Sequence, residues 1–247
     1  MWWCFFFQAE GGIRGAQESR GLGDVYKRQR LKEADIELVR QHRNSEQIRR
    51  TMEYREYITP EMQREWFESV NKNIDQLYFI IHYRSEKIGL INAKNIDWEK
   101  QILESGIFLW ESKYYETFLP AIVSIMITDM CFQLLGWDVI YAHILRTNDK
   151  AIKYNKSLGY VLCEDQEDKE NQLYRLRPES FHRKTQKLRK AISNLYSEKD
   201  EAYLIIEPSD IANDILSQLE PFFQLVRRQR GDFESYFNAD GSITFTF

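Results

Sequence analysis

Two titratable side chains stand on segments of strand character, Glu104 in ILESGIFLW and His143 in WDVIYAHILRTN. A carboxylate or an imidazole so placed can accept a proton from a substrate held beside it. The like-parity neighbours of Glu104, Ile102, Gly106 and Phe108, assign it no clear face, and His143 reads first as a histidine satisfied inside a sheet and second as a base. A second chemistry is anion recognition. RNSEQIRR gathers Arg43, Arg49 and Arg50, and guanidinium forks match phosphate oxygens, although such a run also describes a solvated helix face. The cysteines Cys4, Cys131 and Cys163 are too few and too scattered for a disulfide framework or a zinc site. Cys131 and Cys163 sit among apolar residues and read as buried, reduced thiols of a cytoplasmic protein.

The elements that must position these groups follow from composition and periodicity. With 247 residues, 43% of them apolar, the chain can bury one sizeable core and carry an appendage. A formal charge of -4 gives no blanket attraction to nucleic acid or to an anionic membrane. The first 29 residues resemble a translated sequencing adapter; they are expected to pack poorly, except that VYKRQRL can serve as a surrogate first strand. Helical spacing appears over 35–43 and 45–52, and TPEMQREWFESV opens on a threonine cap followed by proline. Three strands, 76–83, 87–96 and 102–110, are joined by short connections, which predicts an antiparallel meander. PAIVSIMITDMCFQLLG, between Pro120 and Gly136, is apolar around most of its circumference and predicts a buried central helix, too short to span a membrane. A strand over 137–148 then implies a parallel pairing, the stretch after Asn148 a short helix stopped by Gly159, and 160–165 with 171–177 a hairpin.

That order, read together with NDKAIKYNKSLGY, resembles the GNAT family of N-acetyltransferases across 31–177. Asn148, Ala151, Ile152, Leu158, Gly159 and Tyr160 match the late signature N-x-x-A-I, five further residues, L-G-Y in register. The resemblance implies an α/β fold with a mixed, mostly antiparallel sheet, splayed central parallel strands and flanking helices. It implies acetyl-CoA as co-substrate, with no metal, and a small-molecule primary amine as acceptor. The pantetheine arm would lie in the splay along Phe108, Leu109 and Trp110, with Asn148 at the opposite strand end, where its amide can hold the pantetheine or, equally, cap the following helix. The family's glycine-rich turn before the central helix is replaced by YETFLPA, which leaves the N–H groups of Leu119, Ala121 and Ile122 to meet a pyrophosphate. The usual tyrosine acid of the following helix aligns with Asn155; Tyr154, one residue earlier, reads as a packing residue beside the cofactor.

RNSEQIRRTM and YITPEMQREWF resemble members that acetylate amino sugars on nucleotide carriers, and more weakly those that acetylate protein N-termini. Arg43, Asn44, Arg49 and Trp66 are the acceptor residues this implies. A non-catalytic binding module is the alternative that the missing glycines raise. The resemblance brings no nucleic acid or membrane partner, and it allows a homodimer. Beyond Pro178 it fades. FHRKTQKLRKAISNLY predicts an amphipathic helix with Leu188, Ala191, Ile192 and Leu195 on one face, AYLIIE a strand, SDIANDILSQLE a helix stopped by Pro221, and FESYF with SITFTF a hairpin. Residues 30–178 are thus expected to form the transferase domain and 179–247 a small α+β extension.

Overall fold

The computed structural model describes residues 4–7, 26–83, 86–195, 202–206, 208–212 and 214–246. Eleven strands are described: β1 (Cys4–Phe7), β2 (Tyr26–Arg30), β3 (Leu77–Tyr83), β4 (Glu86–Asp97), β5 (Ile102–Leu109), β6 (Ile140–Leu145), β7 (Val161–Leu162), β8 (Asn171–Leu176), β9 (Ala202–Ile206), β10 (Glu234–Phe237) and β11 (Ile243–Thr246). They form one sheet in the order β10-β11-β9-β1-β2-β3-β4-β5-β6-β8-β7. The described pairings are antiparallel except β5 with β6, which is parallel. The expected meander, parallel step and closing hairpin are therefore present, and Tyr26–Arg30 takes the first-strand position beside β3. Cys4–Phe7, which the sequence suggested would pack poorly, instead pairs with β9 and touches β2 at Cys4↔Gln29.

Strand alternation divides the core into two layers. Odd positions of β3, β4 and β5, such as Phe79, Ile91 and Leu103, join the large cluster around helix α4 (Leu119–Asp129). Even positions, Ile80, Leu90 and Trp110, meet helices α1 (Ile36–Asn44) and α3 (Pro60–Val70) through Val39 and Phe67. Between α1 and α3 lies the short helix α2 (Glu46–Arg49). Helix α3 starts where its sequence says: the Thr59 hydroxyl accepts the Met62 N–H at 3.2 Å, and Pro60 occupies the first turn. Helix α4 runs on into a π-helical turn over Met130–Leu134.

The C-terminal segment extends the same core. Leu204, Phe222 and Val226 belong to the large cluster, and Phe222 meets Trp98 edge to face at 6.5 Å. Arg30 of β2 and Asp210 form a buried ion pair at 3.4 Å; burial depresses the guanidinium, and the carboxylate pushes it back. Three expectations are corrected here. Asp214 takes a left-handed conformation that breaks 209–220 into α7 (Pro208–Ala212) and α8 (Ile215–Gln218), and Pro221 then lies in the first turn of α9 (Glu220–Arg230), where a missing N–H costs nothing. The inner face of α6 (Pro178–Leu195) is Phe181, Thr185 and Leu188; Ala191 is exposed, and the side chains of Ile192 and Leu195 lie outside the described residues. Cys131 is buried as expected, its thiol pushed up to about 12 by desolvation, whereas Cys163 is only half-buried because it follows the sheet-edge strand β7.

The signature glycine is explained by one close approach. Gly159 ends helix α5 (Asp149–Leu158) at φ +108°, and a Cβ there would lie 2.8 Å from the Ser180 backbone at the start of α6. Ser180 also donates to the Gly159 carbonyl at 2.9 Å. Gly159→Ala is expected to cost about 2–4 kcal/mol, from left-handed strain plus overpacking, read as a lower urea midpoint with an unchanged slope.

Candidate active site

Strands β5 and β6 are joined by one register pair, Glu104↔Tyr141, although both continue beyond it. Each is held on its other side, β5 by β4 and β6 by β8, so past this rung the two strands open a gap. Pleat alternation decides which backbone groups reach it. The Trp110 N–H donates to the Ile88 carbonyl at 3.1 Å, which commits the even residues 108 and 110 to β4 and turns the backbone groups of Ile107 and Leu109 toward the gap. Of the expected trio, Phe108 and Trp110 therefore have their polar backbone engaged elsewhere. Trp110 packs in the second core, stacked on His42 at 4.6 Å, with its indole N–H on the Lys87 carbonyl.

Leu109 alone of the three faces the gap, and its carbonyl already accepts the Tyr115 hydroxyl at 2.9 Å. Gln47 of α2 donates to the same phenol, also at 2.9 Å. The N-terminus of α4 is similarly self-supplied. The Leu119 N–H goes to the Thr117 hydroxyl at 3.2 Å, the Ile122 N–H to the Phe118 carbonyl at 2.9 Å, and Pro120 has no N–H, so of the three donors over 119–122 the Ala121 N–H is left without a hydrogen bond among the described residues. The expectation that Leu119 and Ile122 also present free donors is corrected by these bonds.

On the far side of the gap Asn148 caps α5, its Oδ1 accepting the Ala151 N–H at 3.2 Å, while its Nδ2 group has no hydrogen bond among the described residues. Tyr154 points back to α4: its hydroxyl donates to the Pro120 carbonyl at 2.9 Å and meets the Ser124 hydroxyl at 2.7 Å. Burial raises that phenol, and its proton is committed to a carbonyl, both unfavourable for an acid. Asn155 returns its amide to the Ala151 carbonyl at 2.9 Å. Sequence reading missed Ser105, whose hydroxyl pairs with the buried Tyr160 hydroxyl at 2.6 Å and ties the L-G-Y turn to β5. The only advance signal was its place beside Glu104.

Glu104 and His143, 39 positions apart, meet across the last rung: His143 Nδ1 lies 2.9 Å from Glu104 Oε2. Glu104 Oε1 accepts from Asn95 Nδ2 at 2.9 Å, and Lys94 Nζ stands 3.3 Å from Oε2. Asn95 reaches it because a β4 bulge places Asn95 at φ 51°, a conformation asparagine tolerates. Burial pushes the Glu104 carboxyl up, but hydrogen bonds from His143 and Asn95 and the Lys94 charge outweigh it and hold the group below the ordinary carboxylate range.

The acceptor-side residues divide. Arg43, at the end of α1, is half-buried beside Tyr78; its Nη1 is buried with no hydrogen-bond partner among the described residues, and desolvation lowers the guanidinium. Trp66 meets Tyr78 edge to face at 4.9 Å, on the same sheet face. Arg49 is half-buried with no side-chain hydrogen bond among the described residues, and the exposed Arg50 pairs with Glu46. Asn44 is spent on structure: its Nδ2 donates to the Ile58 carbonyl and its Oδ1 accepts the Ile58 N–H, both at 2.8 Å. Asn44→Ala is expected to lower stability by about 1–2 kcal/mol and to speed amide exchange at Ile58, leaving the exchange of β3–β5 amides unchanged.

Among the described residues no group of three or more His, Cys, Asp or Glu could hold a metal ion, and no helix is long and apolar enough to cross a membrane. Solved structures share the fold at low identity. A domain from Methanocaldococcus jannaschii DSM 2661 superposes with a TM-score of 0.54 at 20% identity, covering 62% of this chain and 97% of that one. Spermidine N-acetyltransferase from Vibrio cholerae, in complex with CoA and spermine, gives 0.53 at 15%, covering 64% and 98%. The N-acetyltransferase PseH from Campylobacter jejuni, in complex with acetyl coenzyme A, gives 0.48 at 20%, covering 62% and 99%. No curated protein matches the chain in sequence. The model of the acetyltransferase (GNAT) domain matches residues 29–161, more than half of the chain, and the protein therefore belongs to the GNAT family of acetyltransferases.

Proposed function

We propose that this chain moves the acetyl group of acetyl-CoA onto a primary amine, and that the acceptor is an amino sugar on a nucleotide carrier. The observation that carries the transfer reading is the Glu104–His143 pair at the rung where β5 and β6 part. A thioester lying in the gap would have its carbonyl beside this pair, so an ammonium group docking on the same sheet face could lose its proton where attack occurs. The gap-facing N–H of Leu109 would polarise the thioester carbonyl, and the Nδ2 group of Asn148 would hold the pantetheine.

Arg43 supports an anionic acceptor. A half-buried guanidinium with an unmatched Nη1 is costly in the free protein, and a phosphate oxygen would offset that cost. The Trp66–Tyr78 pair beside it offers an apolar surface for a ring. A polyamine would instead meet a like charge at this guanidinium. The reading places the protein in the cytoplasm, where acetyl-CoA is supplied.

The direct test has two arms. Acetyl-CoA should raise the melting temperature saturably, and free CoA should appear fastest with nucleoside diphosphate-linked amino sugars, against free amino sugars, polyamines and N-terminal peptides. Absence of stabilisation at millimolar acetyl-CoA would sink the transfer reading, and preference for peptides would move the acceptor class to protein N-termini. Arg43→Leu is expected to raise the acceptor KM at least about tenfold with acetyl-CoA affinity kept, and to leave the urea midpoint unchanged or higher, since it removes a half-buried guanidinium whose Nη1 has no hydrogen bond among the described residues. Tyr154→Phe is expected to lower kcat by less than about tenfold, because the phenol proton is held by Pro120 and a water or Asn155 is left to meet the departing thiolate. A hundredfold loss with CoA affinity intact would make Tyr154 the acid.

A further inference from the structure

The acetyl-transfer reading leaves two candidates for the proton acceptor, and the hydrogen bonds separate them. We propose that His143, through Nε2, takes the ammonium proton, and that Glu104 is the positioning residue that fixes the imidazole. Glu104 receives Asn95 on one oxygen, and His143 Nδ1 with the Lys94 ammonium on the other. Three of its roughly four lone-pair positions are thus directed at groups of the chain itself. A carboxylate so supplied is ionised, which its position below the ordinary range supports, and an ionised carboxylate only accepts hydrogen bonds.

The consequence falls on the imidazole. His143 Nδ1 must be the donor to Glu104, so the neutral ring carries its lone pair on Nε2. That nitrogen has no hydrogen bond among the described residues, on a side chain that is 34% exposed. His143 lies on β6 two residues beyond the Tyr141 rung, on the gap edge. The arrangement is a carboxylate–imidazole dyad built across two parallel strands, in which the carboxylate accepts the Nδ1 proton and orients the ring.

The proton inventory closes on this assignment. The ammonium gives one proton to Nε2, making an imidazolium paired with Glu104, and the freed amine forms the C–N bond at the thioester carbonyl. The second proton, on the attacking nitrogen, passes to sulfur as the C–S bond breaks. Products are the acetamide and CoA thiol, and His143 returns its proton to water.

The test has a readout independent of turnover. The chain has four histidines, so nitrogen-15 imidazole spectra of the full chain, with His143→Gln identifying the resonance, give the tautomer directly. Wild type is expected to show Nδ1–H with a bare Nε2 in the neutral ring, and Glu104→Ala to lose that preference. In kinetics with acetyl-CoA and a nucleoside diphosphate-linked amino sugar, His143→Ala should lose about 10²–10⁴-fold in kcat with the acetyl-CoA KM kept, and added imidazole should restore part of the loss. An active wild type with the Nε2–H tautomer overturns the assignment alone. So does a His143→Ala variant retaining more than a tenth of kcat while Glu104→Ala loses a hundredfold, which would make Glu104 the base. The expected tautomer with no CoA release on any acceptor of the panel overturns the transfer reading, and the assignment with it.

Discussion

The parallel strands β5 and β6 share a single rung, and the architecture around the site follows from that limit. Each strand is fully engaged by an antiparallel neighbour on its outer side, so the sheet is two well-paired halves meeting at Glu104↔Tyr141. One rung cannot hold two half-sheets in register, and the joining is done from the odd-residue face. Helix α4 buries Leu119, Ile122, Val123 and Ile125 against both halves, and the L-G-Y turn reaches back through Tyr160 to Ser105. Cross-linking away from the gap is what allows the gap to stay open, because the backbone edges above the rung are not needed to hold the sheet together.

Those edges are nevertheless not bare. Tyr115 covers the Leu109 carbonyl, Thr117 covers the Leu119 N–H, and Phe118 covers the Ile122 N–H. Where glycines would leave a helix end open to an anion, this chain places side chains and a proline that satisfy most of the end internally. Exchanging an internal hydrogen bond for one to a ligand involves a net of only about 1 kcal/mol per bond, so the caps tune affinity without closing the site. Arg43 is the opposite case, a half-buried cation whose Nη1 lacks a partner within the described residues.

The C-terminal segment is woven into this frame. Phe181, at the first turn of α6, sits against Phe132 of the π-helical turn at 5.7 Å, and Arg189 grips Asp129 through two 2.7 Å hydrogen bonds. Trp98 and Trp137, from the loop after β4 and the approach to β6, meet at 5.7 Å over Phe222. The β4–β5 connection, the central helix and the appended helix α9 therefore share one packed layer, and the transferase fold is buttressed on its odd-residue face.

What the sequence determined alone is whatever depends on neighbours in the chain. Thr59 and Pro60 start a helix, Asn148 and Gly159 bracket another, and alternating apolar residues make the meander, since capping, left-handed φ and side-chain periodicity act within a few residues. The family signature was legible for the same reason. The pairing of Glu104 with His143 was not, because strand register across a parallel step is set by how α4 packs between them. Nor were the Tyr115 cap on Leu109, the spending of Asn44 on Ile58, or the entry of Cys4–Phe7 into the sheet beside β9. Pro221 was misread as a stop because proline suits the first turn of a helix as well as the end of one, and the fold uses it in the first turn of α9, after the break at Leu219. Local chemistry wrote the elements; which polar groups face each other, and which are left for a ligand, was decided by long-range packing that no spacing along the chain encodes.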